Sequence, residues 1–306
     1  MGGDQLSEVF DLVEVQGQMS GAFEVRGRWR SRHAIDHPLK LIAMIQGHGR
    51  LLTDGLDAPV ELGPGDVAIL NDRSWLDVQG GSGDGLVTEF VPGPGFNIYG
   101  EGGGPAGFVV GGYVDLNHVG RTLLGQALPP VGHVRAADTA AAGLHRNLHA
   151  LAEEARANRI GAAFAIRQYA QLLVLELLRA YIDQAELPPG WLRVMADERL
   201  RPALTLMHAE PGRPWSLEEL ARAAAMSRTS FAERFRTMAG VPPLTYLNRW
   251  RMLLAQRALR DGDVRVGSLA ARLGYGSESA FSTAFKREVG MSPLRYRSSV
   301  RQAVSV

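Results

Sequence analysis

The sequence predicts an α+β protein of two domains: a small β-barrel with flanking helices, followed by an all-α domain that carries two helix-turn-helix units. Three observations in the 306-residue chain predict this organisation. Short apolar runs between glycine and proline turn signals fill the first third and indicate β-strands. Leucine and alanine then recur at helical spacing from about residue 138. The last third contains an internal repeat, which indicates two copies of one supersecondary unit.

The barrel is predicted from a series of strand-length runs. The runs at 39–45 and 67–70 are strongly apolar, and the turn sequence of 63–66 (Gly-Pro-Gly-Asp) lies between them. Residues 80–112 contain 13 glycines and are predicted to form loops and hairpins, with one strand at 86–91. Several short strands between turn signals are typical of a small antiparallel barrel or sandwich.

Two helices are predicted after the barrel, at 140–158 and 162–182, because leucines recur there at helical spacing. Packing of this leucine stripe against the barrel is the favoured interpretation. The alternative is a seam between two copies of the chain, formed by Leu172, Leu173 and Leu177. The prolines and the glycine of 186–190 end helices, so the domain boundary is predicted there.

The predicted first domain is 1–190, with the barrel at about 1–135 and the helices at about 138–184; the second domain is 191–306. Charge divides the chain at the same place. Residues 1–190 hold 14 basic and 22 acidic side chains, whereas the second domain holds 19 basic and 10 acidic ones. A second domain of net charge +9 is expected to bind a polyanion.

Composition excludes several classes of protein. The chain has no cysteine, which excludes a disulfide framework, a thiolate metal site and cysteine nucleophiles. The N-terminus lacks the basic and apolar regions of a secretion signal, and the apolar stretch at 172–178 is too short to span a bilayer. We therefore expect a soluble cytoplasmic protein without a membrane partner.

The repeat in the second domain has matched spacing. Five positions recur after fifty residues: Phe231, Phe235, Gly240, Pro243 and Tyr246 return as Phe281, Phe285, Gly290, Pro293 and Tyr296. Upstream the offset is 49, so one residue is inserted where a turn is expected. A capping box begins the first copy at Ser216. The two copies, at about 216–240 and 266–290, are therefore each predicted to form two helices joined by a short turn. This is the helix-turn-helix motif, which binds double-stranded DNA.

Helical geometry divides the second helix of each copy into a phenylalanine side and an opposite polar side. The polar sides carry the residues predicted to face DNA bases: Thr229, Ser230, Glu233, Arg236, Ser279, Ser282, Thr283 and Lys286. Contacts to DNA phosphates are predicted for Arg228, Arg249, Arg251, Arg287 and Arg297. A single helix over 243–260, about 25 Å long, is predicted to hold the two DNA-facing helices about one turn of DNA, roughly 34 Å, apart.

These residues resemble the AraC/XylS family of bacterial transcription regulators. The resemblance covers about 195–298 and rests on the repeated positions above together with 274–275, 285–287 and 292–293. The first domain resembles the cupin-like sensor half of one branch of that family at 27–29, 64–66 and 190–192. The resemblance implies a sensor that binds a small effector or forms a homodimer. It also implies a DNA-binding domain that recruits or blocks RNA polymerase; an activator is expected, although the sequence does not show whether transcription rises or falls.

Many cupins are metalloenzymes, which gives an alternative function. A cupin metal site needs about three imidazoles and a carboxylate, with two histidines one residue apart. His33, His37 and His48 form no such pair, so neither a metal nor another cofactor is expected and no catalytic residue is assigned. A non-catalytic effector pocket is predicted instead, lined by Trp29, His33, His48 and Trp75.

Two other functions stay open from the sequence alone. The first is a cupin-type metalloenzyme with a basic helical appendage. The second is an adaptor whose basic helices bind an acidic protein. The phased repeat inside a basic domain favours a sequence-specific DNA-binding regulator over both.

Overall fold

The computed structural model describes residues 5–13, 15–82, 84, 86–100, 107–137, 142–184 and 187–304. These residues form two compact units. The described part of Glu14–Leu187 is the N-terminal unit, and the described parts of Met1–Val13 and Pro188–Val306 together form the C-terminal unit. The α+β fold class predicted from the sequence is confirmed, with strands in the first unit and helices alone in the second.

The N-terminal unit is built from two β-sheets. Its strands are β1 (Gln16–Val25), β2 (Trp29–Ala34), β3 (Leu39–Gln46), β4 (Gly49–Thr53), β5 (Val60–Leu62), β6 (Val67–Asn71), β7 (Trp75–Gly80), β8 (Thr88–Phe90), β9 (Phe96–Tyr99), β10 (Gly107–Asp115) and β11 (Val131–Val134). One sheet has the order β11-β6-β3-β10-β1-β9 and the other β5-β4-β7-β2-β8. Neighbouring strands are antiparallel except for the parallel pairs β1–β9 and β2–β8.

The core of this unit lies between the two sheets. Side chains at alternate positions of β1 and β3, such as Phe23 and Ile42, meet side chains of β2 and β7, such as Trp29 and Val78. Alternation places every second residue of a strand on the same face, so one face of each sheet is apolar. This burial stabilises the sandwich and determines which polar residues of these strands point inwards.

The glycine-rich segment differs from its prediction. Residues 107–115 were expected to belong partly to loops, whereas β10 lies in the middle of the six-stranded sheet between β3 and β1. A Cβ at Gly112 would lie 3.0 Å from the carbonyl oxygen of Gln18, so glycine permits the close approach of β1. The predicted strand at 86–91 is limited to β8, and residues 101–106 lie outside the described residues.

Three helices belong to the same unit: α2 (His118–Ala127), α3 (Ala142–Ala157) and α4 (Ala162–Gln184). The two long helices predicted from the leucine spacing are confirmed, although residues 138–141 lie outside the described residues. Leu173 and Leu177 are buried within the unit, whereas Leu172 is 44% exposed. The alternative of a seam formed by all three leucines is therefore wrong, because two of them already pack inside one chain.

The C-terminal unit consists of helices. They are α1 (Gln5–Val13), α5 (Trp191–Ala196), α6 (Arg201–Ala209), α7 (Leu217–Ala223), α8 (Arg228–Ala239), α9 (Pro243–Asp261), α10 (Val266–Arg272), α11 (Glu278–Val289) and α12 (Pro293–Val304). The prediction that the first residues of the chain belong to the barrel is wrong for 5–13. Val9, Leu12 and Val13 form the buried side of α1, and α1 packs on α9.

The two helix-turn-helix copies have the same aromatic core. In the first copy the Phe235 ring lies 5.7 Å from Phe231 and 5.5 Å, edge to face, from Tyr246. In the second copy the Phe285 ring lies 5.8 Å from Phe281 and 5.7 Å from Tyr296. All four phenylalanines are completely buried. Edge-to-face pairs are specific in geometry as well as apolar, so the same three rings give each copy the same shape.

The turn inside each copy explains the inserted residue. The amide of Met226 donates to Ala221, and the amide of Tyr275 donates to Ala270, so the offset is still 49 at this point. It becomes 50 at the next residue, because Gly276 is extra. The residue before Met226 and the residue before Tyr275 both have a left-handed backbone conformation: these are Ala225 (φ 51°) and Gly274 (φ 81°).

Ala225→Gly should stabilise the protein by about 1 kcal/mol, because the left-handed conformation is unfavourable for a residue with a Cβ. Ala223→Gly is the matched control, since it places glycine at the last, right-handed residue of α7 and should cost up to about 1 kcal/mol. Urea unfolding of the full chain, followed by circular dichroism, measures both changes. The explanation fails if the two substitutions change stability in the same direction.

His208 is a buried imidazole in α6. Its ring stacks on Trp250 at 3.9 Å, and Nε2 lies 3.0 Å from the hydroxyl of Tyr246. Nδ1 lies 3.4 Å from the Glu8 carboxylate of α1, in a geometry that makes no hydrogen bond. A carboxylate at this distance favours the protonated ring, but burial outweighs it and lowers the pKa of His208 to about 4.

Stability should therefore fall as the pH drops from 6.5 towards 4, because the unfolded chain binds a proton on His208 that the folded chain excludes. Between pH 7 and pH 5 the expected loss from this group is about 2 kcal/mol. His208→Phe retains an aromatic ring and should make the curve of unfolding free energy against pH shallower over this range. An unchanged curve in that variant would show that His208 is not the group responsible.

Candidate nucleic-acid interface

The exposed side of α8 carries the residues predicted to face DNA in the first copy. Arg228, Thr229, Ser230, Glu233 and Arg236 are all exposed. The opposite side of the helix is buried in the aromatic core. The helical geometry thus divides α8 as predicted, although the roles of these side chains towards DNA stay predictions.

The matching side of α11 carries the second set. Ser279, Thr283, Lys286 and Arg287 are exposed, and Ser282 is half-buried. Because α8 and α11 have the same length and the same core, residues fifty apart occupy equivalent positions. The two helices thus present polar sides of similar size but different side chains, which suits two different sets of base pairs.

Both helices begin and end in the same way. Ser227 accepts a hydrogen bond from the amide of Ser230, and Ser277 accepts one from the amide of Ala280. Gly240 (φ 72°) and Gly290 (φ 85°) end the helices in the left-handed conformation. The capping box that begins α7 is present as well, with Ser216 and Glu219 bonded reciprocally. Capping therefore fixes where α8 and α11 start.

Three of the five arginines predicted to contact phosphate are on the exposed surface. Arg228 and Arg287 are exposed on α8 and α11. Arg249 of α9 is exposed and lies 3.2 Å from the Glu288 carboxylate of α11. Such an exposed ion pair is weak and can exchange for a phosphate partner.

The other two arginines have structural partners. Arg251 donates from Nε to the carbonyl oxygen of Pro211 at 2.6 Å and from a terminal nitrogen to that of Arg213 at 2.9 Å. Arg297 donates to the carbonyl oxygen of Val264. Each holds the segment that precedes the first helix of its copy. These contacts give Arg251 and Arg297 a structural role, and their predicted contacts with phosphate stay predictions.

Two further residues of α8 were missed by the sequence analysis. Thr237 is exposed beside Arg236 and is equivalent to Arg287 by the offset of fifty, which is the signal that identifies it. Arg234 lies 2.7 Å from the buried carboxylate of Asp197, which follows α5. This ion pair joins α8 to the end of α5 and positions the helix.

The connecting helix α9 is longer than predicted. It has 19 residues, so its length is about 28 Å. Its buried side includes Leu247, Trp250 and Leu259, which pack within the unit. A continuous helix of this kind is stiff, so the two copies cannot move independently along it.

The four residues predicted to line an effector pocket do not come together. Trp29 is 1% exposed and belongs to the core between the sheets. His33 lines a cavity of about 220 Å³, whereas His48 lines a separate groove of about 440 Å³ that also contains the edge of Trp29. The Trp75 ring lies 4.9 Å from the guanidinium of Arg32. The predicted pocket is therefore wrong as a set, and only His33 remains in the inner cavity.

The inner cavity contains polar residues that the sequence analysis did not select. Ser20, Ser31 and Lys40 line it together with His33. Lys40 could have been noticed, because it lies at an inward position of an apolar strand, two residues before Ile42. Among the described residues, no three histidines, aspartates or glutamates are grouped so as to hold a metal ion.

No helix in the described part of the chain is long and apolar enough to cross a membrane.

Comparison with known proteins agrees with this architecture. Residues 4–183 match a family model described as a cupin, and residues 220–299 match one described as a helix-turn-helix domain. The chain is 34% identical over 299 residues to a putative AraC-like transcription regulator of Streptomyces lividans. The matched region covers 96% of this chain and 98% of that protein.

Two further similarities cover parts of the chain. The RCS-specific HTH-type transcriptional activator RclR of Escherichia coli is 34% identical over 152 residues, 50% of this chain and 54% of that protein. The DNA-binding domain of the global transcriptional factor AdpA, solved in complex with a target DNA, is 34% identical and covers 35% of this chain and 96% of that one, with a TM-score of 0.34.

These relatives are transcription regulators and not enzymes. The two family matches fall on the two units that the fold shows, the strand-rich one and the helical one. The chain belongs to the AraC family of DNA-binding transcription regulators and combines an N-terminal cupin domain with a C-terminal helix-turn-helix domain.

Proposed function

We propose that this regulator contacts its DNA site through the exposed sides of α8 and α11, placed in successive major grooves. The observation that supports this is the equivalence of the two helices: each has the same caps, the same aromatic core and an exposed polar side fifty residues from the other. Tandem helices joined by a stiff helix of about 28 Å suit grooves that are one DNA turn apart.

The side chains give each position a specific role in this proposal. Arg236 and Lys286 are long enough to reach guanine edges, and Glu233 accepts a hydrogen bond from cytosine N4. Thr229, Ser230, Ser279, Ser282 and Thr283 are small and allow close approach to the bases. Arg228, Arg249 and Arg287 contact phosphates and hold the helices in register.

The N-terminal cupin domain is proposed to respond to a small effector, and the chain is proposed to act as a homodimer in the cytoplasm. Support for a dimer comes from exposed apolar side chains of α4, where Phe164 is 63% exposed and Leu172 is 44% exposed. Exposed apolar patches mark interaction surfaces, and the proposal places Phe164 and Leu172 of α4 in one such patch. Activation through RNA polymerase is proposed because RclR is described as a transcriptional activator.

Arg236→Ala tests the proposed contact with bases. If Arg236 contacts a base, the substitution should cost about 1–3 kcal/mol of binding and relax the preference at one position of the site. Selection of duplexes from a random pool, followed by fluorescence anisotropy at several salt concentrations, measures both effects. Arg50→Ala, which removes the same charge from β4 in the other domain, is the matched control and should leave the preference unchanged.

Two results would contradict this proposal. Selection that enriches no sequence would exclude specific contact with bases. An equal loss of affinity for all sequences in the Arg236→Ala protein, with a shallower dependence on salt, would make Arg236 a phosphate contact instead.

Leu172→Glu tests the proposed dimer. A charge in an apolar interface is costly, so the substitution should shift the chain from dimer to monomer in sedimentation at micromolar concentration. Leu294→Glu is the matched control, because Leu294 is also exposed but lies in the DNA-binding domain. A native chain that sediments as a monomer would contradict the proposal, as would dissociation by both variants alike.

A further inference from the structure

The cavity of about 220 Å³ lies between the two sheets of the cupin domain. Inward positions of β3 are occupied in turn by Lys40, Ile42 and Met44, so a lysine takes a place where the strand otherwise carries apolar residues. Lys40 is only 8% exposed. A buried charge on a central strand lowers the stability of the fold, so packing alone does not explain why a lysine occupies this position.

The ammonium of Lys40 has no acidic partner among the described residues. It donates a hydrogen bond to the hydroxyl of Ser20 at 2.6 Å, which leaves its charge uncompensated. Burial accordingly lowers the pKa of Lys40 to about 8. Burying an unpaired charge costs stability, and an apolar side chain of the same length would avoid that cost.

Two further polar groups face the same cavity from β2. The hydroxyl of Ser31, a residue that is 1% exposed, has no hydrogen-bond partner, and Nδ1 of His33 has none either. Buried polar atoms are almost always paired in folded proteins. Burial and, to a smaller extent, the charge of Lys40 lower the pKa of His33, against the opposite effect of the Asp36 carboxylate. The buried part of the cavity therefore holds one ammonium and two polar groups without hydrogen-bond partners.

Most of the remaining wall is apolar, although the exposed Asp36 and the half-buried His37 and Tyr113 also line the cavity. Phe23, Leu76, Val78 and Val109 line it opposite the polar end. Gly111 keeps the ammonium accessible, because a Cβ there would lie 3.0 Å from Oγ of Ser20 and 3.7 Å from Nζ of Lys40. A volume of about 220 Å³ corresponds to about seven water-sized groups, which limits the occupant to a small molecule.

We propose that this cavity binds the anion of a small apolar carboxylic acid, with its carboxylate on Lys40 and Ser31 and its hydrocarbon part against the apolar wall. A monoanion matches the single ammonium, whereas a dianion such as phosphate would bring uncompensated charge into an apolar site. The carboxylate also accepts hydrogen bonds from a hydroxyl and an imidazole N–H. This inference deepens the proposed effector response and rests on it for its regulatory consequence.

The test uses the full chain and three probes: 4-methylpentanoate, its neutral amide, and inorganic phosphate. Titration calorimetry should detect the carboxylate, with binding by the amide and by phosphate at least tenfold weaker. Lys40→Met, which retains the length of the side chain, should weaken carboxylate binding at least tenfold, and Ser31→Ala should weaken it severalfold. Arg50→Met is the matched control and should bind the carboxylate as the native chain does.

Equal binding of the acid and the amide would overturn the proposal, and so would carboxylate binding that survives Lys40→Met. Absence of binding by the carboxylate at tens of millimolar would overturn it too. The same variants are assayed for duplex binding without any probe. A Lys40→Met protein that binds DNA normally but no longer binds the carboxylate would support the proposed cavity site. If none of the proteins selects a DNA sequence, the proposed DNA contacts are overturned. The calorimetry would still decide the cavity site, because it does not depend on DNA binding.

Discussion

The aromatic core of each helix-turn-helix copy determines which side of α8 and α11 is available. An amphipathic helix at the surface of a domain buries one side, and in α8 and α11 the phenylalanines at 231, 235, 281 and 285 form that buried side. Tyr246 and Tyr296, each the first aromatic residue of the following helix, complete the two cores. The polar sides are exposed as a consequence. The surface that we propose to face DNA thus arises from packing, before any property of its own side chains is considered.

Arginine residues in the DNA-binding domain divide between two tasks. Some hold the fold: Arg234 pairs with Asp197, and Arg251 and Arg297 donate to backbone carbonyls. Others, such as Arg228 and Arg236, are exposed on α8. The net charge of the domain counts both kinds equally. It therefore indicates a polyanionic partner correctly but does not identify the residues that meet it.

The parts of the structure that could be predicted from the sequence are those with a strong local period. The repeat of fifty residues and the capping serines identified α8 and α11, because spacing alone fixes their phase. The barrel was harder, since glycines suggested loops where β10 runs through the centre of a sheet and needs them for close approach. The four residues chosen for the effector pocket do not line one cavity, because they were selected by residue type; Lys40 was overlooked, although its spacing from Ile42 places it on the inward side of β3. The short helix α1 offered too few residues to show that it packs on α9.

Methylation interference on a selected duplex tests the central claim most directly, because it maps the guanines whose major-groove edges must be free. Two helices in successive major grooves predict two clusters of interfering guanines on one face of the duplex, with centres about 10 base pairs apart. A single cluster, or two clusters on opposite faces of the duplex, would contradict the account, since α8 and α11 would then not contact DNA together.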